Sequence, residues 1–398
     1  MVRLGEFARI EVLERITPFW LELIDLDHGG FVGAAFSRSQ PIRDADKSGV
    51  LQCRILWFFS TAYDWSGDPV LLAAASHAFD FIGARFFDPD SDGVFWSVQA
   101  DGGPADTQKH AYAQAFAIFG LAAYHRASGS AQALGLAKRL YQALESRAAD
   151  HAFGGYNEAF NRDWSEAANE RLGRPDAPKT FNTHLHLAEA YFALWEMWPD
   201  PELKARIEAL LGLLTGAMFD QRQATFLQYF EAEWQSLDEG LSFGHDIEAA
   251  WLIRRIAEGI GSTTAPVISP DLSRVAAQVL SKAVEPDGGV ISGRGVWGEW
   301  DDGKVWWVQA EALVGFIDAF DRGRDERFLA AAEQVWGFVA NRVSDPVDGE
   351  WRARIDRQGV APRREFRASA WKCPYHNGRA CMELAKRADL TPAAPPRT

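Results

Sequence analysis

A turn of the form acidic, Gly, (Gly), aromatic recurs along this chain, and a recurring unit constrains the fold more than any single segment can. It stands at Asp27-His28-Gly29-Gly30-Phe31, Asp92-Gly93-Val94-Phe95-Trp96, Phe153-Gly154-Gly155-Tyr156, Asp287-Gly288-Gly289-Val290 and Asp348-Gly349-Glu350-Trp351. Gly30, Gly93 and Gly155 lie 63 and 62 residues apart, and Gly289 and Gly349 lie 60 apart. The interval from Gly155 to Gly289 spans about two periods, and its middle carries Thr225-Phe226-Leu227-Gln228-Tyr229-Phe230, a degenerate copy without glycine. The chain reads as six units.

Between the turns, apolar residues recur at i, i+3, i+4 and i+7 and β-branched runs are scarce, which predicts helices. Two fall in each unit: 6–24 and 50–64, 70–86 and 109–126, 131–146 and 183–198, 202–218 and 246–260, 270–284 and 305–321, and 326–342 and 369–386. Gly67-Asp68-Pro69 and Pro199-Asp200-Pro201 separate pairs, because proline cannot continue a helix and glycine suits its C-terminal cap. The second helix of a pair, such as 109–126, is apolar almost all round, as a helix packed on two sides must be. The first, such as 202–218, is more amphipathic and suits an outer ring. The expected fold is all-α, an (α/α)6 barrel of twelve helices with short β-hairpins on one side, with an open solenoid as the structural alternative. Residues 1–389 form one domain on this reading, and 390–398 form a Pro-rich tail.

Composition narrows the partners. With 47% hydrophobic and 24% charged residues the chain is globular, and a formal net charge of -14 opposes attraction to nucleic acid or anionic lipid. Three cysteines without paired spacing favour neither a disulfide framework nor a thiolate metal site, which fits a reducing, cytoplasmic setting. The most apolar run, 111–124, is too short to span a bilayer and contains Gln114.

The residues hardest to explain as packing lie near the N-terminal turns of the inner helices: Arg54, His110, Tyr112, His184, His186, His245, Glu248, Trp306, Trp307, Glu311, Trp371 and His376. In a closed ring these positions converge on one mouth. A lone histidine on an apolar helix is more often a hydrogen-bonded core residue than a catalyst, but five of the nine histidines fall in this set. His184 and His186, two apart on a helix, cannot both face the site, so one is structural. His245 and Glu248 share a helix face, where the carboxylate either orients the imidazole or forms a plain ion pair. A metal is a weaker reading, since H-E-x-x-H is absent. Tryptophan beside Arg, His and Glu suits a sugar ring, and two or three imidazoles suit removal and return of protons near neutrality. Two histidines on opposite faces of a carbon would exchange a proton α to a carbonyl, with Arg54 on the enediolate oxygen.

Five blocks carry a resemblance: Lys109-His110-Ala111-Tyr112-Ala113-Gln114-Ala115-Phe116, Asn182-Thr183-His184-Leu185-His186, Gly244-His245-Asp246-Ile247-Glu248, Trp307-Val308-Gln309-Ala310-Glu311-Ala312 and Trp371-Lys372-Cys373-Pro374-Tyr375-His376-Asn377. In order and content they resemble the N-acylglucosamine 2-epimerase superfamily, and most of all its cellobiose 2-epimerase branch. The resemblance implies an (α/α)6 barrel and epimerisation at C2 of a reducing-end aldose, without a redox cofactor or required metal. It implies His245 and His376 as the acid/base pair, His186 assisting ring opening, Arg54 on the sugar oxygens and Glu248 orienting His245. Tyr112, Asn182, Trp251, Trp307, Glu311 and Trp371 match sugar-binding positions.

The competing functions are an aldose–ketose isomerase such as a mannose isomerase, which returns the proton to C1, and a non-catalytic carbohydrate-binding barrel, which would not need the histidines. The partner expected is a small sugar, mono- or disaccharide, and the polar loop Asp163–Thr180 stands where it could line or block the path of a second ring.

Overall fold

Apolar faces bounded by Gly, Pro and capping side chains set twelve helices among the described residues, which in this computed structural model are 2–172, 174–237, 240–295 and 297–389. The first, α1, runs on through Val2–Ile10, a π-helical Glu11–Ile16 and Thr17–Leu21. There follow α2 (Gly49–Ser66), α3 (Pro69–Arg85), α4 (Ala111–Ser128), α5 (Ala131–Arg147), α6 (Phe181–Met197) and α7 (Pro201–Thr215). The last five are α8 (Phe243–Gly259), α9 (Ala265–Ala283), α10 (Trp306–Gly323), α11 (Glu326–Phe338, prolonged by Val339–Val343) and α12 (Tyr375–Asp389).

The even-numbered helices pack in the order α2, α4, α6, α8, α10, α12 and back to α2, so the ring closes and the solenoid is excluded. Each odd-numbered helix lies outside on one of them. The closest pairs join an inner helix to the outer helix after it, across short turns such as Gly67-Asp68, where Gly67 is left-handed and Asp68 accepts from Val70 N–H. The sequence had grouped each outer helix with the inner one following it, but a long hairpin separates those two. As a result α1 has no inner helix before it and pairs with α12, so the two ends of the described chain complete the circle.

Two boundaries differ for local reasons. Helix α9 begins at Ala265, before Pro270, because a proline in the second turn removes only one backbone bond. Helix α12 begins at Tyr375 and not near 369, since Pro374 sits at its start and Trp371 stays in the preceding loop. The Pro-rich segment 390–398 lies outside the described residues.

The hairpins gather at the N-terminal ends of the inner helices. The two residues before each of the first five inner helices pair with a strand of the next unit: Lys47–Ser48 with Ser97–Val98, Lys109–His110 with Ala159–Phe160, Lys179–Thr180 with Tyr229–Phe230, Leu241–Ser242 with Gly293–Arg294, and Lys304–Val305 with Arg354–Ile355. The belt so formed stitches neighbouring units round one mouth. Buried lysines fasten it: Lys47 to Asp25 (2.7 Å), Lys109 to Asp88 (2.9 Å), Lys179 to Asp150 (2.7 Å), Lys304 to Asp287 (2.7 Å) and Lys372 to Glu350 (2.9 Å). Five residues after the lysine, Gln52, Gln114 and Gln309 each grip the turn, accepting from the backbone N–H and donating to the C=O of Phe31, Val94 and Val290. The degenerate unit has lost the lysine and keeps half of the grip, Asp246 accepting from Phe226 N–H (2.8 Å). Leu241 replaces the lysine, Asp246 replaces the glutamine, and Ala224 takes the left-handed conformation (φ 52°) that Gly154 supplies in the unit before.

Candidate active site

The same register builds the cavity. Seven residues after Lys47, Lys109, Lys179, Leu241, Lys304 and Lys372 stand Arg54, Phe116, His186, Glu248, Glu311 and Arg379, one from each inner helix and all buried. Residues one turn nearer the mouth, three or four after the lysine position, include Tyr112, Asn182, His245, Trp307 and His376. A cavity of about 230 Å³ opens between these levels, lined by Arg54, Tyr112, Asn182, His186, His245, Glu248, Trp306, Trp307, Trp371 and His376.

Three imidazoles reach this cavity, each fixed through Nδ1. His186 Nδ1 lies 2.9 Å from Glu189 Oε2, and His376 Nδ1 lies 2.7 Å from Glu311 Oε1. His245 Nδ1 lies 2.8 Å from Gln228 Oε1, whose amide nitrogen donates to Phe226 C=O, so the oxygen is the atom turned to the ring. Each partner is an acceptor, so Nδ1 carries the hydrogen and Nε2 keeps its lone pair. Trp307 touches both His245 and His376, with ring centroids 5.0 and 5.6 Å away. Burial pushes His245 down to about 3 and His376 well below the ordinary imidazole value, and for His376 the Arg54 and Arg379 guanidiniums act the same way.

Arg54 is a buried cation whose polar contacts among the described residues involve no carboxylate. It donates to Tyr112 Oη (2.7 Å) and to Cys373 Sγ (3.8 Å), and its guanidinium lies 4.1 Å from the Phe116 centroid and 4.9 Å from that of Tyr375. Such a site favours a ligand that develops negative charge. Beneath it, Arg379 donates to Glu189, Glu248 and Glu311 at 2.6, 2.6 and 2.7 Å. Burial, and then the charge of Glu311, push Glu248 up to about 7. Glu248, Glu311 and His376 bring three metal-type donor atoms within 4.8 Å of one another, but Arg379 already serves both carboxylates as their cation. Glu248 Oε2, Asn182 Oδ1 and Trp306 Nε1 have no hydrogen-bond partner among the described residues, which leaves them open to the polar groups of a ligand.

Most of the candidates from the sequence meet here, and three placements differ. Glu248 does not orient His245: it is held by Arg379, its nearest imidazole is His376 (3.9 Å), and Gln228 supports His245 instead. Trp251 lies one turn deeper than Glu248 and donates to Glu311 Oε2 (3.1 Å), so it braces the floor and does not line the cavity. Glu311 likewise stands behind His376. His184 is the structural member of its pair, contacting Thr180 C=O through Nδ1 and accepting from Tyr156 N–H through Nε2. His110 caps α4, accepting from Tyr112 N–H, and its other nitrogen meets Asn169 (3.0 Å). Sequence reading missed Gln228, Glu189 and Arg379. Arg379 was within reach, since it keeps the seven-residue register that yields Arg54, His186, Glu248 and Glu311.

A closed helical barrel with histidines and an arginine that has no carboxylate partner among the described residues, converging on an aromatic-walled cavity, defines a class, and comparison places the chain within it. The family described as N-acylglucosamine 2-epimerase matches residues 29–380, and the chain belongs to that family. It is 38% identical over 379 residues to a cellobiose 2-epimerase of Bacteroides fragilis, covering 94% of this chain and 96% of that one. The solved structure of cellobiose 2-epimerase from Bacillus thermoamylovorans is 36% identical with a TM-score of 0.93, covering 97% of this chain and 100% of that one. A D-mannose isomerase structure, at 21% identity and a TM-score of 0.84 over 96% and 97% of the two chains, shares the fold.

Proposed function

We propose that the protein is a carbohydrate 2-epimerase, an isomerase that interconverts glucose and mannose configuration at C2 of a reducing-end aldose, with a cellobiose-type β-1,4 disaccharide as substrate. The observation that carries this reading is the trio of imidazoles lining one cavity with Arg54, which has no carboxylate partner among the described residues. Full-length similarity to cellobiose 2-epimerases supports it.

After ring opening, assisted by His186, one imidazole removes the C2 proton and the electron pair moves toward O1. Arg54 stabilises the enediolate that forms. The other imidazole delivers a proton to the opposite face of C2. His245, held by a neutral amide and pushed to about 3, is neutral across the physiological range and so is ready as base. His376 rests against Glu311, so an imidazolium there has a carboxylate partner, and negative charge arriving beside Arg54 offsets one of the cations that disfavour it. The reverse reaction exchanges the roles. Tyr112, Asn182, Trp306, Trp307 and Trp371 hold the sugar, while Glu311 and Trp251 act through their neighbours. Three free, buried cysteines fit a cytoplasmic setting.

Product analysis by proton NMR tests the reading. Cellobiose incubated with the protein should yield a disaccharide with mannose at its reducing end. Fructose formed from mannose, with no C2 epimer, would instead assign the aldose–ketose isomerase, and no turnover of any sugar would leave a binding barrel.

A further inference from the structure

The loop between the second strand of the α4 hairpin and α6 is polar in sequence, and the structure shows it fastened. Asn169 is buried at its centre, donating to Glu158 Oε2 (2.9 Å) and Ala177 C=O (3.1 Å) and meeting His110 Nε2 through its oxygen. On one side Arg171 pairs with Asp106 and stands 5.9 Å from the Trp96 centroid. On the other, Arg174 pairs with Asp176, donates to Leu237 C=O (2.6 Å) and stands 5.4 Å from the Trp297 centroid. Lys179, also polar in the sequence, turns inward as one of the buried clasps.

The aromatic wall leads from the cavity to the first of these arginines. Tyr112 meets Trp371 at 5.8 Å between centroids, Trp371 meets Trp96 at 6.0 Å, and Arg171 lies over Trp96. Trp371 is 37% exposed, so one of its surfaces is available at the mouth. A cavity of about 230 Å³ is small for two pyranose rings, so on the proposed function the second lies outside it, where Trp371 offers an apolar platform. A guanidinium has five N–H donors, and Asp106 occupies only part of the fork. The side chain remains 36% exposed on a backbone fixed two residues away by Asn169.

We infer that Arg171 binds the hydroxyls of the second, non-reducing sugar of a disaccharide and so sets the preference for disaccharide over monosaccharide. This rests on the epimerase reading and names the residue that selects its substrate. Asp106 and Trp96 hold the guanidinium over the mouth, and no bond is made or broken by it.

Steady-state epimerisation of cellobiose and of mannose by wild type, Arg171→Ala, Arg171→Lys and Arg174→Ala tests the inference. A charged hydrogen bond predicts a tenfold to hundredfold fall in kcat/KM on cellobiose for Arg171→Ala, mostly in KM, with mannose changed less than about twofold. Arg171→Lys should lose less, and Arg174→Ala, which opens the other clasp, should show no loss specific to cellobiose. An equal loss on both sugars, or none on cellobiose, overturns the inference while leaving the epimerase reading intact. A wild-type protein inert on both sugars overturns the epimerase reading and the inference with it.

Discussion

His245 and His376 occupy the same register position in units four and six, either side of Trp307, yet they are held differently. Gln228 accepts from one and Glu311 from the other. Burial drives both toward the neutral form, so the partner decides what happens when either gains a proton: a carboxylate stabilises the imidazolium and an amide does not. On the proposed mechanism, two identical side chains on a pseudo-symmetric ring thereby become unequal at the ends of one proton path. The degenerate unit, with its lost lysine and glycine, is the one that supplies the amide-held histidine, and its hairpin carries Gln228.

His245→Ala and His376→Ala should each lower kcat by ~10³-fold or more, since general acid–base groups contribute up to ~10⁴. A variant that keeps normal turnover would remove that histidine from the path. Arg54→Ala takes away the charge that both sides share and should cost ~10²–10³ in kcat, with the circular dichroism spectrum unchanged. Glu311→Gln keeps an acceptor for His376 but not the countercharge. It should lower kcat by about tenfold, whereas Gln228→Glu, the reverse exchange on the other side, should alter the pH profile more than the maximum.

The sign of that pH effect follows from the base being active when neutral. Both imidazoles are lowered, so the acid limb of kcat/KM in wild type should fall below the ordinary imidazole range near 6.5. A carboxylate at 228 raises the pKa of His245, so the neutral fraction is lost at higher pH and the limb moves up by about one unit or more. An unmoved limb would mean that His245 does not titrate in the rate. The smallest kinetic change should come from His184→Ala. It unpairs Tyr156 N–H and costs ~1–3 kcal/mol in urea unfolding, with kcat within about twofold of wild type.

The six-unit repeat made the barrel legible, because a period of about sixty residues with two helices each has few ways to bury its apolar faces. The mouth was legible for the same reason: register fixes height along an inner helix, so residues at matching positions must meet. Register also marks the error over Trp251, which follows Glu248 by three residues and therefore lies one turn deeper. What was hidden depends on contacts between distant turns. Gln228 reaches His245 from a hairpin that lacks the glycine signature, and Arg379 gathers Glu189, Glu248 and Glu311 from three other helices. No spacing within one helix reports such a cluster. The buried Lys–Asp clasps were in plain view as a lysine two residues before four of the six inner helices, Lys47, Lys109, Lys179 and Lys304, and periodic charge was the signal left unread.

The central claim is that two imidazoles face C2 of one sugar from opposite sides. Cellobiose incubated with the protein in deuterium oxide and followed by NMR tests it most directly. Deuterium should appear at C2 of the mannose-configured product and not at C1. Label at C1 with a ketose product, or an epimer formed without any label at C2, would contradict it.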